Sequence, residues 1–102
     1  MTEHPVEQLE TFFADIIQKM DRQFTSHEFL LRLAHEHQHE YVAGLNYYNR
    51  HTESKPFKDL HHDIISRLKK LDGSSLTLKK TDYPSRDIFG IASSAGLWQK
   101  KA

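Results

Sequence analysis

The feature that most constrains this chain is a change of hydrophobic period at Gly73. Before it, apolar side chains recur at helical spacing in three separate stripes; after it, Leu76 and Leu78 alternate with Thr77 and Lys79 in the period of a half-buried strand. A sequence of this kind folds as an α+β domain, mainly α, with three major helices followed by a C-terminal β-hairpin or small antiparallel sheet. Its 102 residues suffice for a single domain spanning 1–102.

The first stripe runs from Pro5 to Arg22 through Val6, Leu9, Phe12, Phe13, Ile16, Ile17 and Met20, with proline in the position favoured at a helix start. Glu7 and Glu10 near its beginning and Lys19 and Arg22 near its end suit the helix dipole. Gln23 to Thr25 read as a short connection. Ser26 then reads as an N-cap for a central helix starting at His27, whose stripe is Leu30, Ala34, His37, Tyr41, Leu45 and Tyr48, with Leu33 at the edge. A break could fall at Gly44 or in the polar run from His35 to Glu40. After a polar loop over 51–56, a third helix presents Phe57, Leu60, His61, Ile64, Ile65, Leu68 and Leu71 to the interior, and Gly73 supplies its left-handed cap. Lys58, His62, Ser66, Lys69 and Lys70 share its opposite face.

Strands are expected at Leu76 to Lys79, at Ile88 to Ala92 and at Leu97 to Lys100, separated by a loop from Thr81 to Arg86 that turns at Tyr83-Pro84-Ser85. Ser93 to Gly96 is an equally good turn, so the pairing of the strands stays open. Leu30, Leu33, Tyr41, Phe57, Ile64 and Leu68 are expected to meet Phe12, Phe13 and Ile16 in one core, with Trp98 covering an end of it.

Zero net charge hides an asymmetry: residues 1–54 carry 4 Lys+Arg against 9 Asp+Glu, and residues 55–102 carry 10 against 5. An acidic first half and a basic second half suit an anionic partner, duplex DNA or an acidic protein, docking on the C-terminal half, or self-association as a homodimer. Apolar runs are too short for a membrane span, the acidic start is unlike a secretory leader, and the absence of cysteine excludes disulfides and thiolate chemistry and points to the cytoplasm.

The chain is histidine-rich, with 8 in all, and His35-Glu36-His37-Gln38-His39 matches H-E-x-x-H. On one continuous helix that spacing lets two histidines hold zinc while Glu36 acts as base, the chemistry of a zinc hydrolase. Yet Val42 and Leu45 stand where the extended motif has Gly and His, and a third ligand would have to be His51, Glu53, His61 or His62, none at a matching spacing. A solvated polar face is the preferred assignment, with no metal, no cofactor and no catalytic residue. No nucleophile elbow or phosphate loop places the serines and aspartates for catalysis, so a non-enzymatic binding module outranks an enzyme. His37 and His61, inside apolar stripes, are expected to be neutral core histidines.

Three helices followed by a hairpin, with Asp63-Ile-Ile-Ser-Arg-Leu-Lys-Lys-Leu-Asp-Gly73 leading into it, resembles the winged helix-turn-helix superfamily over residues 24–101 at the level of architecture. The resemblance implies a recognition helix in the major groove and a wing with a basic tip on the adjacent groove or backbone. It carries over Lys58, His62, Ser66, Lys69 and Lys70 on the helix, and Lys79, Lys80, Tyr83 and Arg86 on the wing, as nucleic-acid-binding residues. Many such domains bind proteins instead.

Overall fold

The computed structural model describes residues 4–50, 53 and 55–101; His51, Thr52 and Ser54 of the polar loop lie outside them. Among the described residues the order is α1 (Pro5–Glu10), α2 (Phe13–Lys19), β1 (Gln23–Thr25), α3 (Ser26–Glu36), α4 (Gln38–Asn49), α5 (Pro56–Lys69), β2 (Leu76–Arg86) and β3 (Ala92–Lys100). The coarse expectation of an α+β chain with helices first and an antiparallel sheet last is met. The three strands form one sheet in the order β1-β3-β2, both pairs antiparallel.

Two of the three expected helices are divided. Between α1 and α2, the Thr11 hydroxyl donates to the Gln8 carbonyl at 2.6 Å and the amides of Thr11 and Phe12 bond three residues back. This tighter turn ends the first helix and re-aims the second. Between α3 and α4, His37 leaves helical geometry at φ −127°, ψ 59° and its ring stacks on Phe12 with centroids 3.8 Å apart. Gln38 donates its side-chain amide to the carbonyl of His35, one of those freed by the break.

Gly44 is not the break. It is buried within α4, where a Cβ would stand 2.8 Å from a methyl carbon of Leu60, so its missing side chain is what lets α4 lie close against α5.

Gln23 to Thr25 is a strand and not a mere connection, pairing Phe24 with Trp98 and Thr25 with Leu97. The cap of α3 also moves by one residue. Thr25 accepts from the Glu28 amide at 3.1 Å while the Glu28 carboxylate accepts from the Thr25 amide at 2.9 Å, a complete capping box. Ser26 is buried instead, and its hydroxyl accepts from the indole of Trp98.

The core gathers Leu9, Phe13, Ile16, Phe24, Phe29 and Leu33 with Leu60, Ile64, Leu68, Leu76 and Trp98. Leu30 and Tyr41 belong to it as expected and Phe12 packs at its margin, but Phe57 does not: it is 43% exposed. Trp98 sits wholly inside the core, where β3 crosses α3.

The hairpin differs most from expectation. Thr81 to Arg86 continues β2, Ser93 to Gly96 continues β3, and the turn is Asp87 to Ile91. Asp87 Oδ1 accepts from the amides of Phe89 and Ile91, Gly90 takes φ +83°, and Arg86 donates to the Gly90 carbonyl at 2.8 Å. Strand propensity at Ile88 and Ile91 yields to this Asp-Gly turn chemistry. The tip is therefore apolar, not basic, with Phe89 58% and Ile91 62% exposed.

Candidate functional site: the cleft between α5 and the hairpin

β1 pairs only with the base of β3, so from the Tyr83–Ala95 pair outward the hairpin is a two-stranded ribbon. Register shifts between Leu78 and Lys80 and between Lys80 and Tyr83 interrupt the β2 ladder. Such irregularities bend a strand and increase its twist. The ribbon lies along α5, with its tip at the helix start, where Phe89 and Phe57 meet edge to face at 5.0 Å.

Between them lies a cleft of about 480 Å³. From α5 come Lys58, His61, His62, Ile65 and Lys69, spaced to share one helix face. The hairpin supplies Leu78, Thr81, Asp87, Ile88 and Ser94, and the start of α3 contributes Ser26, His27 and Leu30. The floor is apolar, closed by Trp98 and the Cβ-less Gly96. Lys58, His62 and Lys69 form no side-chain hydrogen bond or ion pair among the described residues.

α5 is fixed in place by a polar network on another of its faces. Arg67 donates to Asp63 and to Glu10, each at 3.0 Å, and Tyr48 donates to Asp63 at 2.8 Å, joining α1, α4 and α5. Burial pushes the Asp63 carboxyl up, but the hydrogen bonds from Tyr48 and Arg67 outweigh it and leave it below its ordinary value. Burial and the nearby Asp63 carry the Tyr48 hydroxyl up to about 12. The i,i+4 spacing of Asp63 and Arg67 was the available sequence signal for this network; Glu10 and Tyr48 gave none.

His61 faces the cleft while its Nε2 lies 2.5 Å from the Tyr41 hydroxyl. Burial, and secondarily the proximity of His27, push the imidazole down to about 4, and burial raises Tyr41 to about 12. His61 is thus neutral near pH 7, half-buried at the edge of the core and not within it. His27 holds its Nδ1 3.2 Å from the Ser85 hydroxyl.

Of the residues carried over from the winged-helix resemblance, Lys58, His62 and Lys69 line the cleft. Ser66 on α5 and Lys70 just past its end are exposed but do not line the cleft, and Lys79 and Lys80 are exposed on β2. Lys80 lies 5.8 Å from the ring of Tyr83, and Arg86 is tied into the tip turn. The structure thus separates the expected basic set into a helix group and a ribbon group.

The H-E-x-x-H segment loses the geometry on which its chemistry depends. His35 lies in the last turn of α3 and His39 in the first turn of α4, with the break at His37 between them, so the two are not neighbours on one continuous helix. Glu36 bonds Lys19 and Arg32, both at 2.6 Å, and these cations hold its carboxylate below the usual range, the opposite of what a general base needs. Among the described residues no group of three His, Asp or Glu is placed to hold a metal, and His51 lies outside them.

No helix among the described residues is long and apolar enough to cross a membrane. Comparisons with protein-family models, with curated proteins and with solved structures find nothing that matches this chain.

Proposed function

We propose that this chain is a small non-enzymatic binding module of winged-helix type that takes duplex DNA against α5 and the hairpin. The supporting observation is one of topology: a strand precedes α3, pairs with the last strand, and leaves the hairpin to emerge directly after α5, in the sheet order β1-β3-β2. In winged helices the helix before the wing reads the major groove while the wing reaches an adjacent groove or the backbone. Lys58, His62 and Lys69 on α5 and Lys79 and Lys80 on β2 would then supply phosphate contacts. The acidic N-terminal half would face away from the DNA, an arrangement a homodimer could satisfy. The cytoplasm suits such a role in a chain without cysteine.

Fluorescence anisotropy with a labelled duplex at low salt tests the proposal. Affinity should fall with salt at a slope of about −0.9 per phosphate contacted. Replacing Lys69, Lys70, Lys79 and Lys80 by Ala should reduce both affinity and slope while the fold persists. No binding to any duplex at roughly 50 µM protein, well within the nonspecific range, would overturn it.

A second reading has its own support. Phe57, Phe89, Ile91 and Val42 are all well exposed, Phe57 touches Phe89, and a groove on α4 joins Phe57 to Val42 and Leu45. Exposed apolar side chains gathered in this way characterise protein-docking surfaces. If the duplex titration fails, a protein-interaction module is the surviving function.

A further inference from the structure

We propose that the cleft between α5 and the hairpin binds a small amphipathic anion, a carboxylate or phosphate ester on an apolar body. Its volume, about 480 Å³, falls in the range of pockets that enclose small molecules. The apolar part of such a ligand would lie on Ile65, Leu78 and Ile88, with the buried Leu30 and Trp98 directly behind them. Gly96 lets that floor pack tightly, since a Cβ there would stand 3.1 Å from Leu78 and 3.2 Å from both Ser26 Oγ and Trp98 Nε1.

The sign of the ligand follows from the charged groups facing the space. Among the described residues, Lys58 and Lys69 line it without an ion pair, and the single acid, Asp87, has Oδ1 committed to two backbone amides of the tip turn. A cation would meet two unpaired ammonium groups, whereas an anion would meet Lys58 beside His62, or Lys69 toward the hairpin base. Thr81 and Ser94 add hydroxyls that can donate to a carboxylate or phosphate oxygen.

The site does not depend on DNA binding, and its test contains no DNA. 2-Naphthoate, 2-naphthyl phosphate and uncharged 2-naphthylmethanol can each be titrated into the ¹⁵N-labelled protein while the indole N–H of Trp98, the only tryptophan, is followed by NMR. At least one anion should bind saturably and about tenfold or more tighter than the alcohol. Comparing the two anions identifies the headgroup. In a Lys58→Ala/Lys69→Ala variant the free-protein spectrum should persist and the preference for the anion should disappear. Equal binding of alcohol and anions would overturn the proposal. So would a full anion preference in the variant, or an unmoved Trp98 resonance at about 1 mM of every probe.

Discussion

The indole Nε1 of Trp98 donates to the hydroxyl of Ser26 over 2.9 Å inside the protein, joining residues 72 positions apart. The bond ties the last strand to the first turn of α3, next to the Thr25–Leu97 strand pair. Ser26→Ala would leave a buried N–H without its acceptor. It should lower the unfolding free energy by about 1 to 3 kcal/mol in urea titrations. In a Trp98→Phe background the same substitution should cost little, because no donor remains. An equal loss in both backgrounds would mean that the hydroxyl acts through something other than the indole.

His61 makes stability depend on pH in a defined direction. Its imidazole has an ordinary value of 6.5 and is pushed down to about 4 in the folded protein. Between these values the unfolded chain binds the proton and the folded one does not. The stabilisation is therefore complete above about 6.5 and is lost as pH falls toward 4. Allowing for solvent screening at a half-buried site, roughly 1 kcal/mol should be lost between pH 7 and pH 5. His61→Gln should remove that part of the slope, and unfolding curves at the two pH values in both proteins check it.

Zinc should bind only adventitiously. Protein purified without a histidine tag is expected to contain substoichiometric zinc by elemental analysis, since His35 and His39 lie on opposite sides of the helix break. Full occupancy that disappears in His39→Ala would revive the hydrolase alternative, with Glu36 as base.

The stripes of the sequence located the core well and the ends of elements poorly, and the difference is physical. Leu60, Ile64 and Leu68 recur at helical spacing because burial alone selects them, and all three are fully buried. The break at His37 falls inside the polar run where one was expected, but its exact place carries no such mark, because there the ring stacks on Phe12 from the turn between α1 and α2. β1 was hidden for a similar reason: a strand of three residues is too short to display alternation, and its pairing partner lies at the far end of the chain. At the site, Lys58, His62 and Lys69 were legible as one face of α5. That the hairpin would lie along this face depends on irregularities in β2 pairing that residue identity does not specify.

Leu68 and Phe57 should separate core from surface within one helix. Leu68 is fully buried, and Leu68→Ala should cost about 2 to 5 kcal/mol. Phe57 is 43% exposed and meets the exposed Phe89 of the hairpin tip edge to face, so Phe57→Ala should cost well under half as much. Equal losses in thermal or chemical unfolding would mean that Phe57 contributes to the core after all.

Gly44 and Leu60 supply the sharpest test of how α4 and α5 pack. In an open helix, Gly→Ala stabilises by roughly 1 kcal/mol because alanine loses less backbone freedom on folding. Here the new methyl would stand 2.8 Å from Leu60 Cδ1 and 3.3 Å from its Cδ2, and Leu60 has no exposed surface into which to swing. Overpacking of this kind typically costs about 1 to 3 kcal/mol, so Gly44→Ala should destabilise the protein in spite of its helix propensity. In a Leu60→Ala background, itself less stable, the clash is gone and the same substitution should become neutral or stabilising. That reversal of sign, read from unfolding midpoints in a double-mutant cycle, would place the close approach of the two helices at this pair; destabilisation of the same size in both backgrounds would exclude it.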